Sequence, residues 1–195
     1  MKTILFIFII LANLCFGQDD LNRFNSERSI TDQKLMLTLG SWATTNMIVS
    51  GAAWVTLQEG EARYFHQMNV MWNVVNLGLA IPGYIKARNA STDISFARTW
   101  SEQSQTEKVF LFNGALDIAY MTSGILLREM AQNDPSRAEM FNGFGNGLLL
   151  QGGFLFVFDL AAYGIHKIHA NRKLSPLFDN MELSQSGIGI RYNLN

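Results

Sequence analysis

Four stretches of the chain lack charge over about the length a helix needs to cross a bilayer. Leu35 to Gln58 carries no Lys, Arg, Asp or Glu, and Tyr64 to Ile85 has only His66 as a titratable group apart from tyrosines. Val109 to Leu127 holds one carboxylate, Asp117, and Met140 to Ile165 holds one, Asp159. Of 15 basic and 16 acidic residues, only those two lie inside the four windows. A hydrocarbon core about 30 Å thick takes about 20 residues at about 1.5 Å each, and every window is near that length. A soluble helix normally turns a charged face to water; these windows have none to turn. Trp54, Tyr64, Tyr84, Phe110, Phe141 and Tyr163 stand near window ends, where an amphipathic ring suits the headgroup region. The pattern predicts an all-α fold, a four-helix transmembrane up-down bundle over residues 35–169.

The flanking segments read differently. Residues 1–17 combine Lys2, an apolar run from Ile4 to Leu14, and small residues Cys15 and Gly17 before Gln18, the three-part pattern of a secretory signal peptide. A lipoprotein would need a small residue where Leu14 stands. Residues 18–34 are polar and read as a loose lead-in. Glu59 to Arg63 is a tight link, 86–108 the longest polar loop, and Arg128 to Glu139, with Asp134-Pro135, a break before the fourth helix. Pro82-Gly83 is expected to end or kink the second helix. Near the end, Met181 to Ser184 and Ile188 to Leu194 alternate apolar and polar residues around Gly187, which predicts a β-hairpin over about 181–194 in a tail covering 170–195.

An exported start with four spans puts both termini on the periplasmic side. Lys and Arg then count eleven on that side against three, Arg63, Arg128 and Arg137, on the other, the reverse of the usual positive-inside bias.

Composition agrees with lipid as the surrounding medium. The 195 residues are 48% hydrophobic and 16% charged, where soluble domains carry about 25% charged residues. A net charge of −1 and the lack of any basic cluster argue against nucleic acid as a partner. Cys15 is the only cysteine, and it falls within the export signal, so no disulfide framework or thiolate site is expected. A mean hydropathy of only +0.08 and the asparagines within the windows keep a soluble secreted helical bundle as an alternative.

The polar residues inside the windows are spaced as helix faces. His66, Asn69, Asn73 and Asn76 recur at steps of three and four, as do Asn113, Asp117 and Tyr120. Thr45, Asn46 and Ser50 add to them from the first window, and Asn146, Gln151 and Asp159 from the fourth. Hydrocarbon cannot satisfy such groups, so they must face one another. Counting in from the window ends places Trp42, Asn76, Asp117 and Asp159 about 9 to 14 Å from the terminal-side surface, in one layer. The candidate polar core or ion site is therefore Asp117 and Asp159, with Asn46, Asn73, Asn76, Tyr120 and Gln151 around them, and His66 and Asn69 nearer the interface.

Two readings follow: a proton or cation site on the aspartates, or a structural network that fixes helix register. Gly143 and Gly147 at GxxxG spacing and Gly152-Gly153 point to close helix packing. His166 and His169 read as solvated interfacial histidines, with no metal expected. No nucleophile elbow, phosphate loop or dinucleotide fingerprint occurs, so neither a cofactor nor a catalytic residue is indicated and an enzyme is disfavoured.

The runs Phe65 to Asn76, Leu116 to Tyr120 and Gln151 to Asp159 together resemble a family of uncharacterised small four-helix membrane proteins, a domain of unknown function of Bacteroidota-type bacteria. The resemblance spans about residues 35–194 and implies place and architecture only. Sequence and resemblance together point to an integral membrane protein of the bacterial cell envelope with a structural or protein-interaction role. The bilayer is its first partner, with a homo-oligomer or an envelope protein as the next. The alternative is a small transporter or proton/cation-binding module using Asp117 and Asp159.

Overall fold

The computed structural model describes the backbone of residues 2–179, 181–184 and 187–190 and the side chains of residues 18–177. The side chains of the expected signal peptide, and residues 191–194 of the expected hairpin, lie outside the described ones. Four long helices dominate: α1 (Lys2–Thr56), α2 (Glu61–Arg88), α3 (Phe96–Asn133) and α4 (Ala138–His169). A wide helical turn over Ala170–Leu174 leads from α4 into the short α5 (Ser175–Asp179). Each charge-poor window lies within one of the four helices, apart from Leu57 and Gln58.

Every helix runs beyond its window, which changes three expectations. The lead-in 18–34 is not loose but part of α1, with Leu21, Phe24, Asn25 and Arg28 buried at helical spacing. The 86–108 loop shrinks to residues 89–95, because Ser95 caps α3, its Oγ accepting from the Arg98 N–H at 3.4 Å. Pro82 does not end α2, which continues to Arg88. A fourth correction concerns fold class: a C-terminal β-hairpin was expected as part of the architecture, but the architecture is all-helical. Met181–Ser184 lies antiparallel to Gly187–Ile190, with Met181 opposite Ile190, and among the described residues this pair joins no third strand. Two four-residue strands form no layer of the fold.

Packing follows from where glycine sits. α4 lies between α2 and α3, while α1 packs along α2. On α4, Gly143 and Gly147 face α2, where an added Cβ would strike the α2 backbone at Glu61 or the side chain of Met68. Gly145 and Gly152 face α3 instead, and a Cβ at Gly145 would lie 2.6 Å from the carbonyl oxygen of Gly124. The helices approach through glycine on both sides of α4. The turn into α2 uses Gly60 at φ 151°, a backbone conformation that favours glycine.

Two cores result. One joins Leu35, Leu39, Ala80, Phe110, Leu155, Phe158 and Ala162 among the four long helices. The other gathers Leu21, Phe24, Ala170 and Leu174, with Phe96 and Leu177 against them, where α1, α3 and the end of α4 extend past the bundle. We call this second region the stalk.

Candidate functional site

Beside that apolar core, a set of polar side chains also turns inward between the helices. Asn69, Asn73 and Gln151 are fully buried, and Asn76, Asp117 and Asp159 nearly so. Trp42 Nε1 donates to Gln151 Oε1 at 3.0 Å, and Gln151 Nε2 donates to Asn69 Oδ1 at 2.5 Å, tying α1, α4 and α2 together. Along α2, Asn73 Nδ2 donates to the Asn69 carbonyl at 2.7 Å and Asn76 Nδ2 to Asn73 Oδ1 at 3.1 Å. The Trp42 ring stacks on Phe154, centroids 3.8 Å apart and planes within 3°, which holds its N–H toward Gln151.

Asp117 of α3 and Asp159 of α4 form a second polar group. The two side chains are buried as neighbours, with Asn113 beside Asp159. Asp117 Oδ2 is buried with no hydrogen-bond partner.

The structure sorts the expected site residues into separate groups. Asp117 and Asp159 come together. Gln151, Asn69, Asn73 and Asn76 form the amide network, with Asn69 fully buried in it. Asn46 turns back to its own helix, donating to the Trp42 carbonyl at 2.9 Å, and Tyr120 packs edge-on against Trp72 at 4.7 Å. His66 is half-buried, its Nδ1 3.1 Å from Ser50 Oγ. Asn113 is the residue missing from the expected site. Its signal was its place one turn before Asp117 on the same helix face.

The stalk holds a polar cluster that window-based reasoning passed over. His166 is fully buried and not solvated; its Nε2 is 3.0 Å from Asp32 Oδ1 but off the line of a hydrogen bond. His169 stacks on Phe24 and meets Glu27 Oε2 at 2.8 Å, and Lys173 Nζ reaches the same carboxylate at 2.5 Å. Hydrogen bonds from Lys173 and His169 hold Glu27 below its ordinary value of 4.5. Burial pushes Glu102 up, yet Arg28 and Arg98 outweigh it and leave that carboxyl lowered. Arg28 is 5% exposed, with its guanidinium 2.6 Å from Glu102. Lys167 is raised by its hydrogen bond to Glu107 at 3.1 Å. Asn25 Nδ2 donates to Thr99 Oγ1 at 2.9 Å, closing the contact between α1 and α3. Among the described residues, no group of three or more His, Asp or Glu side chains is placed to hold a metal.

The buried seam residues Asn69, Asn73, Asp117 and Gln151 fall within one match, since residues 38–160 fit the model of a family of unknown function, DUF6992. The chain belongs to DUF6992. Within it, the matched span takes in both polar groups and the glycine contacts of α4 and stops before the stalk end of that helix, short of the residue 194 that the resemblance reached. No curated protein and no solved structure matches this DUF6992 chain.

Proposed function

We propose that this DUF6992 chain is an integral membrane protein of the bacterial cell envelope, exported by residues 1–17 and crossing the bilayer with four helices, with a structural or protein-interaction role. The observation that carries the reading is the inverted distribution of polarity. Asn69, Asn73 and Gln151 are 0% exposed while Val55 is 79%, Ile48 68%, Val157 67% and Phe112 64% exposed. Water would favour the opposite arrangement; lipid favours this one.

Two helices, α3 and the one running from Ala138 to Leu177, are long and apolar enough to cross a membrane. In the core helix of a soluble protein such a stretch is mostly buried, whereas here the apolar windows are 22% and 39% buried. α1 and α2 reach the same place by another route: their amides and hydroxyls lower their hydropathy, but Asn69, Asn73, Asn76 and Ser50 point inward. The structural role is supported by the amide network, whose members are bonded to one another.

Membrane fractionation followed by alkaline carbonate washing tests the reading. The mature protein stays in the pellet and needs detergent for release; a monodisperse, detergent-free species in the wash refutes it. Orientation is tested by labelling single cysteines placed at Ser91 and Ser136 in intact cells. The export signal expects Ser91 to react from outside and Ser136 to stay protected, and the opposite result reverses the topology. The carboxyl pair favours a second reading, a proton- or cation-binding module, because no Lys or Arg lies in any window to neutralise it.

A further inference from the structure

We infer that a cavity between α3 and α4 binds the headgroup of one phospholipid that carries both a phosphate and a primary ammonium, as phosphatidylethanolamine does. The cavity, about 320 Å³, is lined by Ile125, Arg128, Glu129, Ala131 and Gln132 of α3 and by Asn142 of α4. Ligand pockets begin at about 300 Å³, so the space suits a headgroup and not a whole lipid. Ile125, Arg128, Glu129 and Gln132 fall at helical spacing on one face of α3. That face turns from apolar to charged within one turn of helix: Ile125 is 60% exposed, and Arg128 directly follows the third charge-poor window. A phospholipid has the same gradient, from acyl chain to phosphate, at that level of a bilayer.

The charges of the cavity are unmatched within the chain. Of the three basic residues at this end of the bundle, Arg63 pairs with Glu59 at 3.8 Å, and Arg137 pairs with Asp134 at 2.6 Å and covers the Phe141 ring. Arg128 makes no ion pair and no hydrogen bond with any described residue. Its stem is placed all the same. It lies on α4 where Gly145 lacks a side chain, its Cγ 2.8 Å from where a Cβ would stand. A guanidinium offers paired N–H donors that fit phosphate oxygens. Next to it, Glu129 Oε2 accepts from Gln132 Nε2 at 3.0 Å, which leaves the other carboxylate oxygen to take a further donor. An arginine and a carboxylate that line one cavity without pairing fit a ligand bearing both charges. Phosphatidylglycerol brings the phosphate without the cation, and the trimethylated nitrogen of phosphatidylcholine has no N–H to donate to Glu129.

This inference deepens the membrane reading and rests on it, since the acyl chains would lie along Ile125. The experiment is native mass spectrometry of the full chain in detergent micelles, titrated separately with phosphatidylethanolamine, phosphatidylglycerol and phosphatidylcholine. One phosphatidylethanolamine should bind per chain, about tenfold more tightly than either of the others, the worth of one charge-assisted hydrogen bond. Arg128→Gln should weaken it by about tenfold or more, while Glu129→Gln should erase the preference over phosphatidylglycerol and leave phosphatidylglycerol binding as it was. Arg63→Gln, at the same end of the bundle, should change neither. Equal affinity for the three lipids in wild type overturns the inference without any variant, and so does unchanged binding in Arg128→Gln. Saturable binding of inorganic phosphate that blocks the lipid makes the site one for a free anion, which also overturns it. A chain that shows any of these results and still resists carbonate loses the headgroup site and keeps the membrane reading; release by carbonate removes the membrane reading itself.

Discussion

Replacing Gly145 by Ala tests whether backbone contact between α3 and α4 holds the bundle. The new methyl would lie 2.6 Å from the carbonyl oxygen of Gly124, where ordinary contact begins at 3.4 Å, so the pair falls about 0.8 Å short. Arg128 Cγ at 2.8 Å can swing away, but a carbonyl in the middle of a packed helix cannot. The helices must separate, and overpacking of this kind costs about 1 to 3 kcal/mol. Against it stands the helix preference of Ala over Gly, about 1 kcal/mol. Gly153→Ala supplies the control: it lies on the same helix, and a Cβ there meets nothing within 4 Å. That variant should gain the preference without the clash. The difference between the two variants therefore isolates the contact, about 1 to 3 kcal/mol, or a gap of about 2 to 12 °C in Tm at about 2 to 4 °C per kcal/mol for a chain of this size. Thermal unfolding in detergent, followed by circular dichroism, reads it. If both variants move Tm in the same direction by the same amount, α3 and α4 do not meet at Gly124 and Gly145.

Gln151→Leu should lower stability in the same thermal unfolding by about 1 to 3 kcal/mol, because it leaves the Trp42 indole N–H and the side-chain Oδ1 of Asn69 without these partners. Thr45→Leu, at an exposed position on α1, should be close to neutral in that assay. Breaking the Arg28–Glu102 pair should be asymmetric: Glu102→Gln strands a buried guanidinium and costs about 1 to 3 kcal/mol more than Arg28→Met, which leaves Glu102 bonded to Arg98. Equal losses in equilibrium unfolding would place Arg28 in water. Glu27 gives a pH signature: its carboxyl is lowered in the folded protein, so its stabilisation is present above 4.5 and is lost as pH falls through the folded value. Glu27→Gln should therefore unfold more easily than wild type at neutral pH, with the gap closing in acid; a gap that widens in acid contradicts the assignment.

The helices were legible because absence of charge over a spanning length has few explanations, and the inward seam of α2 because Asn69, Asn73 and Asn76 repeat at helical steps and all prove buried. The stalk was missed for a physical reason. Arg28, Glu27 and Asp32 look solvated when read alone, and their partners Glu102, His169, Lys173 and His166 lie 74 to 146 residues away for the bonded pairs, beyond any local pattern. A signal was present all the same: Leu21, Phe24, Arg28, Leu35 and Leu39 form one stripe that continues into the first window, with no Gly or Pro in 18–34 to interrupt it. Depth counting placed Trp42, Asn76, Asp117 and Asp159 at one level but could not give the direction each faces around its helix. Trp42 turns to Gln151 and Tyr120 to Trp72, and the aspartates are left to each other.

The change of character along α1 bears on what surrounds it. Between Gln18 and Lys34 the helix obeys the rules of a soluble protein: Leu21 and Phe24 are buried, while Arg23 is exposed and paired with Asp20. From Leu37 onward it reverses, with Leu37, Ile48, Val49 and Val55 more than half exposed and Ser50 buried beside His66. One helix with one backbone cannot prefer both arrangements in a single solvent, because exposing apolar side chains to water costs about 25 cal/mol per Å². Under the membrane reading, the boundary lies between Lys34 and Leu37. The same boundary on α4 falls between Ile165, exposed and apolar, and the buried His166 that faces Asp32 of the stalk. On that reading α1 and α4 change medium at the level where Asp32 meets His166. An aspartate introduced at exposed Ile48 should then abolish membrane-inserted folding, whereas one at exposed Ile30, on the stalk side of that level, should leave yield and carbonate retention unchanged.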